Sequence, residues 1–483
     1  METEAAAGRF LAEGFSIASG NPDTLSAGSP ETAGKPPVLC VINTCAVTAK
    51  AEQKARRLIR LLRKHYPQTA VLVTGCYAQT DRAAISAMDS ALIVLPGKRK
   101  DILLRLPPVL KAALENGPAD PGAAARAVRE FCRTEIAAAG PEAPDLSGSA
   151  WPAEPADNLS AESARALSFH SRAFVKIQDG CSNRCTFCKT RLARGPSRSV
   201  PAETILSRVR ALENAGWGEA VLTGVNLRQY RDPGSGADLG GLLRCLLDGT
   251  SRIFLRISSL YPESVTPELA GILRAERICP FFHLSVQSGS PSVLQNMGRT
   301  YGPDQVREAV RLLREAKTDP FLSCDIITGF PGESGGDFLL TENLCRDLDF
   351  AHIHIFPFSP RPGTEAAGMK PCVPQRIARE RADRLETLSQ DGFARYIRRW
   401  SGKRLAGIFQ YSGKTKRPEV FTVNALALPL DTGAYEASGK PQAEILRSSP
   451  QNLRGAAIAV QIPAYSRTQE IPAAVLENFL FSV

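Results

Sequence analysis

Short apolar runs alternate with longer amphipathic segments in the N-terminal part of the chain. The runs VLCVINTC, AVLVTGCYA and ALIVLPG have the length and composition of buried strands. The segment after the first run, AKAEQKARRLIRLLRKHYP, has apolar residues at helical spacing and basic residues elsewhere. Strands that alternate with helices in this way are typical of a parallel sheet. We therefore predict a small parallel α/β domain over residues 1–133, which begins with a short amphipathic segment.

The same alternation resumes on a larger scale after a segment rich in Ala, Pro, Ser and Gly. That segment, residues 134–170, has no apolar period and is predicted to be a flexible linker or insertion. Residues 171–400 then contain six strand-like runs with helical segments between them: RAFVKIQ, EAVLTG, RIFLRISSL, FFHLSVQS, FLSCDIITGF and FAHIHIFPFS. Six successive β/α units predict a partial (β/α)6 barrel, in which the loops after the strands carry the chemistry.

The last segment, residues 401–483, has a different pattern. Its apolar runs, RLAGIFQY, EVFTVNALAL and AAIAVQIPAY, are short and broken by Gly and Pro. This pattern predicts a small β-barrel. The predicted fold class is therefore α/β, with a small parallel domain, a central barrel and a C-terminal β-barrel.

Composition limits the possible compartments and partners. No run approaches the roughly 18 consecutive apolar residues of a membrane-spanning helix, and the start METEAAAGRF lacks the layout of a signal peptide. A cytoplasmic protein is therefore expected, and its twelve cysteines are expected to be ligands, nucleophiles or core residues rather than disulfides. The net charge of +10 suits a phosphate-rich partner, although many basic proteins bind no nucleic acid.

Three cysteines stand close together directly after the first strand of the predicted barrel. In KIQDGCSNRCTFCKT, Cys181, Cys185 and Cys188 have the spacing C-x-x-x-C-x-x-C. Zinc and a [4Fe-4S] cluster both normally take four protein ligands. A fourth ligand is missing here, because the nearest histidine, His170, would lie at the far end of the preceding strand. A cluster held by three thiolates leaves one iron open to the amine and carboxylate of a small molecule. A zinc site or a chance spacing is the alternative.

This cysteine spacing, with Phe187 before the last cysteine and a β/α barrel around it, resembles the radical SAM superfamily. The resemblance implies a [4Fe-4S] cluster whose open iron binds S-adenosyl-L-methionine (SAM). It also implies a reducing electron donor such as flavodoxin or ferredoxin. Reductive cleavage of SAM would give a 5′-deoxyadenosyl radical that abstracts a hydrogen atom.

Further segments resemble one group within that superfamily, the methylthiotransferases. They are VINTCAVTAKAEQKARR, VLVTGCYAQ, SRAFVKIQDGCSNRCTFC, ARGPSRS, VLTGVN, FHLSVQSGSPSVLQNMGRTY, DIITGFPGE and FPFSPRPGT. The resemblance implies an RNA-binding TRAM domain at the C-terminus and the insertion of a methylthio group into a C–H bond. The branch most resembled modifies C2 of N6-threonylcarbamoyladenosine beside the tRNA anticodon. Sibling branches act on isopentenyladenosine or on a ribosomal-protein aspartate.

The family also implies a second [4Fe-4S] cluster, held by three cysteines of the N-terminal domain, that presents the sulfur. Cys45 and Cys76 match two of them and follow predicted parallel strands, whose ends can bring them together. Core packing is their alternative role. The third cysteine would precede Met1, and Cys40 inside a strand is expected to be a core residue. We expect that the start was assigned too late. The alternative is an RNA-binding relative whose donor cluster has decayed.

Polar residues at the ends of the barrel strands are candidates for contact with SAM or substrate. Each of them could instead be a polar core residue. The candidates are Gly224, Asn226, Arg256, Ser258, Gln287 and Ser288. His283 is expected to be structural, with its ring facing a layer of the barrel. The loop Gly329–Glu333 either approaches a ligand or forms a turn.

Basic segments offer candidate contacts with RNA phosphate. The first is the helical segment 50–64, which contains seven Lys and Arg residues and one acidic residue, Glu52. In the C-terminal segment, Lys414, Lys416 and Arg417 combine with Tyr411 and Phe421, which could stack on bases. The simpler interpretation of both basic segments is a charged surface that faces solvent.

Overall fold

The computed structural model describes residues 2–18, 36–46, 48–115, 121–138, 171–412, 417–437, 440, 442–448, 453–462 and 473–480. Contacts divide the chain into two units. The first contains Met1–Asn158 with Gly180–Asn183 and Cys188–Pro196, and the second contains the remaining residues. Residues 139–170 of the predicted linker lie outside the described residues, whereas residues 134–138 end a helix.

The first unit contains the predicted parallel sheet. Its strands are β1 (Leu39–Thr44), β2 (Ala70–Gly75) and β3 (Ile93–Val94), in that order across the sheet. Its helices are α1 (Glu2–Ala12), α2 (Ala49–His65), α3 (Cys76–Thr80), α4 (Arg82–Ser86), α5 (Asp101–Glu115), α6 (Pro121–Ala138) and α7 (Thr190–Arg194). Every residue of β2 is buried, because helices cover both faces of this central strand.

Helix α2 illustrates how the sequence determines the start and the buried face of a helix in the first unit. The side chain of Thr48 accepts a hydrogen bond from the backbone N–H of Ala51 and caps the helix. Ala55, Ile59 and Leu62 follow at helical spacing and are buried. The basic residues therefore fall on the opposite side of the helix.

The second unit contains the six predicted strands of the barrel. They are β4 (Ala173–Lys176), β7 (Glu219–Thr223), β8 (Phe254–Ile257), β9 (Phe281–Gln287), β10 (Phe321–Thr328) and β11 (His352–Pro357). They form two parallel three-stranded sheets, β4-β7-β8 and β9-β10-β11, and single bridges such as Leu260 to Leu284 connect them. The predicted (β/α)6 order is confirmed. A short antiparallel pair, β5 (Gln178–Asp179) and β6 (Arg198–Ser199), flanks the cysteine loop.

Helices alternate with the strands of the barrel. They are α8 (Ala202–Asn214), α9 (Leu239–Gly249), α10 (Pro267–Leu273), α11 (Pro291–Asn296), α12 (Pro303–Ala316), α13 (Gly335–Asp347) and α14 (Gln375–Trp400). Within the described ranges, every helix is too short or too polar to cross a lipid bilayer.

The predicted C-terminal β-barrel is also present. Its strands are β12 (Arg404–Tyr411), β13 (Pro418–Thr422), β14 (Ala427–Asp431), β15 (Ala457–Gln461) and β16 (Ala474–Phe479), and two short helices, α15 (Gly433–Glu436) and α16 (Ala443–Ser448), follow β14. The strands close in the order β12-β13-β14-β16-β15. Tyr396 of α14 joins its core, with its hydroxyl bonded to Asn424 at 3.0 Å.

A buried ion pair joins the central barrel to the C-terminal barrel. Arg256 of β8 contacts both carboxylate oxygens of Glu219, at 2.7 and 2.8 Å, and also the carbonyl oxygen of Thr422. The guanidinium groups of Arg256 and Arg172 both lie against the ring of Phe421. The Arg256 side chain is thus held by Glu219 near the amino-terminal end of the strands, and its contact with SAM or substrate stays a prediction. Phe421 already lies against two guanidinium groups, and its stacking on RNA bases likewise stays a prediction.

We predict that Glu219→Ala lowers the free energy of unfolding by about 3–5 kcal/mol, because it leaves buried guanidinium groups without their counter-charge. Chemical denaturation followed by circular dichroism measures this change. The control is Glu308→Ala, which removes an exposed partner of Arg311 and should cost less than about 1 kcal/mol. Equal effects of the two variants would contradict the structural role of Glu219.

Candidate metal centre and substrate site

The cysteine loop requires a glycine immediately before its first cysteine. Gly180 has φ +69°, and a Cβ placed there would lie 1.9 Å from the carbonyl oxygen of Pro196. The backbone N–H of Cys181 donates to the carbonyl of Gly195 at 3.0 Å. The two ends of the segment from 180 to 196 are thus held together in a closed loop.

The three thiols of this loop differ in exposure. Cys181 is buried, and Cys185 and Cys188 are half-buried. The sulfur of Cys188 accepts a hydrogen bond from the backbone N–H of Thr190 at 3.4 Å, an interaction that favours a thiolate ligand. Among the described residues, no three cysteine, histidine or carboxylate side chains are grouped closely enough to hold a metal ion. The donor set, three thiols on a closed loop, nevertheless has the chemistry that an iron–sulfur cluster needs.

Arg299 is a site residue that the sequence analysis missed, although it lies in the segment QNMGRTY. Its guanidinium lies over the rings of Tyr261 and Phe187, 5.0 and 5.4 Å from their centroids. Burial opposes its charge, but its interactions with Tyr301 and Cys185 raise the pKa of Arg299. Its Nε and Nη1 atoms are buried without a hydrogen bond to any described residue. A buried, unsatisfied cation beside Cys185 suits an anionic cluster or the carboxylate of SAM.

Cys45 and Cys76 are brought together by strand register in the first unit. Thr44 of β1 pairs with Gly75 of β2, so the two cysteines directly follow paired positions on neighbouring parallel strands. Gly75 has φ +99°, and a Cβ there would lie 2.2 Å from the carbonyl oxygen of Thr44. The strand ends approach this closely only because residue 75 is glycine.

Cys40 differs from these two thiols in its surroundings. It lies inside β1, where burial raises the pKa of its thiol to about 11. Cys40 is half-buried and packs against the hydrophobic cluster that contains Ile42 and Ile59.

The segment that follows Cys188 packs on the helix that begins at Cys76. Lys189 Nζ lies 2.6 Å from Asp81 Oδ2, and both residues belong to the first unit. Burial raises the pKa of Asp81, but the hydrogen bonds from Lys189 and Thr80 outweigh it and lower the pKa below its ordinary value. The ion pair fixes the start of α7 against α3.

Three predicted ligand contacts keep their support at the carboxyl ends of the strands. Asn226 is buried, and its backbone N–H bonds to Gln178, a residue missed by the sequence analysis, at 2.9 Å. Gln178 also packs against Gly224 and so ties the LTGVN loop to the strand before the cysteines. The hydroxyl of Ser258 is buried without a hydrogen-bond partner among the described residues, as expected where a ligand supplies the partner.

Two further predicted residues, Gln287 and Ser288, lie at the end of strand β9, and their surroundings differ. Gln287 adopts φ +69°, a strained conformation for a non-glycine residue that is often found at functional sites. Ser288 instead bonds the hydroxyl of Thr341 on α13 at 3.1 Å and is fully buried. The hydroxyl of Ser288 thus ties the end of β9 to α13, and its contact with SAM or substrate stays a prediction.

The loop Gly329–Glu333 forms a turn, and its approach to a ligand stays a prediction. The Glu333 carboxylate accepts the backbone N–H of Gly329 at 2.7 Å and pairs with Arg381 of α14. A Cβ at residue 329 would lie 2.4 Å from the Cβ of Ala378. The glycine allows close helix packing. Of the basic C-terminal candidates, Lys414 and Lys416 lie outside the described residues.

Comparison with known proteins supplies an independent view of the chain. Residues 175–345 match the Radical SAM superfamily, and residues 29–95 match the uncharacterized protein family UPF0004. The threonylcarbamoyladenosine tRNA methylthiotransferase MtaB of Treponema pallidum is 43% identical over 91% of this chain and 93% of its own length. MtaB of Thermotoga maritima is 33% identical over 75% and 76% of the two chains. A tRNA-2-methylthio-N(6)-dimethylallyladenosine synthase of Anaplasma marginale is 32% identical over 72% and 71%.

We predict that Gly75→Ala destabilises the strand ends that carry Cys45 and Cys76 and lowers the free energy of unfolding by more than about 1 kcal/mol. Thermal unfolding measures the loss. Gly271→Ala is the control, because it lies in helix α10 with open space around its Cα and should be neutral or stabilising. A Gly75→Ala protein as stable as the control would contradict the close approach of β1 and β2.

Proposed function

Because the chain belongs to the radical SAM methylthiotransferases, we propose that it adds a methylthio group to C2 of N6-threonylcarbamoyladenosine beside the tRNA anticodon. One observation carries the proposal. A relative named for this activity is 43% identical over 91% of the chain, and a relative named for the dimethylallyladenosine activity is 32% identical over 72%. We propose that the protein acts on tRNA in the cytoplasm.

Cys181, Cys185 and Cys188 are proposed to hold the first [4Fe-4S] cluster. When bound, this cluster and SAM supply the radical that removes a hydrogen atom from the adenine. Arg299 offers unsatisfied N–H groups beside Cys185, and Ser258 an unsatisfied hydroxyl at the end of β8. We propose that these groups, with Gly224, Asn226 and Gln287, bind SAM or the nucleoside. A reducing donor such as flavodoxin or ferredoxin would deliver the electron.

Cys45 and Cys76 are proposed to hold the second cluster of the family, which supplies sulfur when bound. Their placement after paired positions of β1 and β2 supports this assignment. Cys45 is exposed and Cys76 is half-buried, so a substrate can reach these thiols. Cys40 lies inside β1 and packs against a hydrophobic cluster, whereas Cys45 and Cys76 follow strand ends, and this placement argues against its use as a third ligand.

Helix α2 is proposed to contact the phosphates of the anticodon stem-loop. One side of the helix presents five exposed cations, which we call the basic stripe: Lys50, Lys54, Arg57, Arg60 and Lys64. Their spacing follows successive helical turns, and the only acidic residue of α2, Glu52, lies 3.9 Å from Arg56 at the edge of the stripe. A line of cations is the surface that a nucleic-acid backbone attracts.

Deletion of the gene tests the proposed function. We expect tRNA from the deletion strain to lose the 2-methylthio derivative of threonylcarbamoyladenosine, measured by nucleoside mass spectrometry, and wild-type protein to restore it. Cys185→Ala should not restore it, because a cluster ligand is removed. Cys372→Ser, which alters an exposed cysteine in the second unit, is the matched control and should restore it fully.

Other results of that experiment would identify other functions. Loss of the dimethylallyl derivative instead would assign the chain to the sibling tRNA reaction. Loss of methylthio mass from a ribosomal protein would assign it to the protein-modifying branch. Unchanged modification with retained tRNA binding would identify an RNA-binding protein without a donor cluster.

Charge reversal of the basic stripe tests the tRNA contact. We expect Lys54→Glu with Arg57→Glu to weaken tRNA binding at least tenfold. The slope of the logarithm of the binding constant against the logarithm of the salt concentration should also become shallower by about one unit for each lost phosphate contact. Fluorescence anisotropy at several salt concentrations measures both. Arg307→Glu with Arg311→Glu, on exposed positions of α12, changes the net charge equally. An equal loss in this control would show a general charge effect rather than a contact through α2.

A further inference from the structure

Three of the five histidines of the chain share one face of the second three-stranded sheet. Ser323 of β10 pairs in register with His283 of β9 and with His352 of β11, and Asp325 pairs with His354. Side chains two residues apart on a strand point to the same face. These five polar residues therefore form one cluster, the histidine cluster.

Direct contacts organise the histidine cluster around His283. The ring nitrogens of His283 lie 2.9 Å from Ser323 Oγ and 3.0 Å from Asp325 Oδ2. The ring of His354 stands edge-on to His283, with centroids 5.1 Å apart, and to His352, with centroids 4.4 Å apart. His352 is in turn bonded to Ser389 of α14 at 3.1 Å. His354 is thus oriented by its neighbours, although it makes no hydrogen bond of its own to a described residue.

The histidine cluster faces the inside of the curved sheet. Residues of the opposite face, such as Cys324, are fully buried, and Cys324 contacts Cys345 of the covering helix α13. On the inner face, Arg256 of β8 lies 5.1 Å from the ring centroid of Phe281 on β9. Asp325 is 26% exposed at its side chain and His354 also reaches solvent, so a molecule inside the barrel can reach both.

Packing alone does not account for this cluster. Polar side chains inside a barrel cost free energy unless their hydrogen bonds are satisfied, and apolar residues would fill the layer better. Partial burial, together with His283 and His352, lowers the pKa of His354, so its ring is neutral at pH 7. A neutral imidazole presents one N–H donor and one acceptor. The Asp325 carboxylate next to it accepts hydrogen bonds only.

We propose that His354 and Asp325 bind the threonylcarbamoyl substituent of the modified adenosine and select it over the dimethylallyl substituent. This inference rests on the proposed function and assigns its substrate specificity to named residues. A threonylcarbamoyl group has N–H donors, a carbonyl, a hydroxyl and a carboxylate, which match a carboxylate acceptor and an imidazole. A dimethylallyl group has only carbon and hydrogen, so it would displace water from His354 and Asp325 without offering either side chain a hydrogen bond. His283 and His352 position the binding groups.

The test compares anticodon stem-loops that carry threonylcarbamoyladenosine, dimethylallyladenosine or unmodified adenosine. Fluorescence anisotropy gives the Kd of each for the full-length protein, and thermal unfolding checks that each variant folds. The variants are His354→Leu and His354→Asn, whose side chains have the same branching and number of heavy atoms, but only Asn keeps a donor and an acceptor. We expect wild-type protein to prefer the threonylcarbamoyl stem-loop, His354→Leu to lose about tenfold of that preference, and His354→Asn to keep most of it.

The possible failures are distinguishable. Equal affinity of wild-type protein for all three stem-loops would contradict the proposed substrate and, with it, this inference. A wild-type preference that His354→Leu retains in full would contradict the inference alone. If His354→Leu does not fold, Asp325→Asn replaces it, and an unchanged preference in that variant has the same meaning.

Discussion

The whole architecture depends on one constraint, namely that neighbouring parallel strands end at the same edge of their sheet. In the first unit, this constraint places Cys45 and Cys76 side by side, because Thr44 and Gly75 are paired in register. In the second unit, it collects the loops after β7, β8 and β9 at one end of the barrel. The residues that end strands can therefore be far apart in sequence and still serve one site.

Buried polar groups serve different roles at the two ends of the barrel. At the amino-terminal end, the ion pair of Arg256 and Glu219 joins the central barrel to the C-terminal barrel, although Nη1 of Arg256 has no hydrogen-bond partner among the described residues. At the carboxyl end, the hydroxyl of Ser258 and two guanidinium nitrogens of Arg299 have no such partner either. Because the loops at the carboxyl end carry the chemistry of such barrels, the unpartnered groups there are the ones available to a ligand. In the histidine cluster, the rings are fixed by their neighbours and His354 is still accessible.

Sequence patterns predicted the order of elements well, because apolar runs and helical spacing are local properties. Strands β1, β2 and β3, the six barrel units and the closed C-terminal barrel all followed from them. The same patterns could not show which partner a polar residue near a strand end meets. Arg256 and Ser288 each bond a residue more than 35 positions away in sequence, and only the fold reveals those partners.

The sequence analysis missed Arg299 and Gln178 for the same reason, because their surroundings come from distant parts of the chain. Arg299 follows a loop glycine and looks like a solvated arginine in sequence, yet the fold places it between aromatic rings beside Cys185. Gln178 looks like a polar residue at a strand end, but it is fully buried and bonds to Asn226. In contrast, the spacing of Cys181, Cys185 and Cys188 carries its own chemical signature, because three thiols on one short loop leave an iron with an open position.

Pulsed EPR can show whether one iron of this cluster is open to SAM. The protein would be reconstituted anaerobically with Cys45 and Cys76 both replaced by alanine, reduced, and mixed with SAM that is isotopically labelled in its amine nitrogen and carboxylate oxygens. We predict hyperfine coupling of these labels to the cluster, which disappears together with the cluster when Cys185 is also replaced. A reduced cluster on these three cysteines that shows no coupling to either label would contradict this prediction.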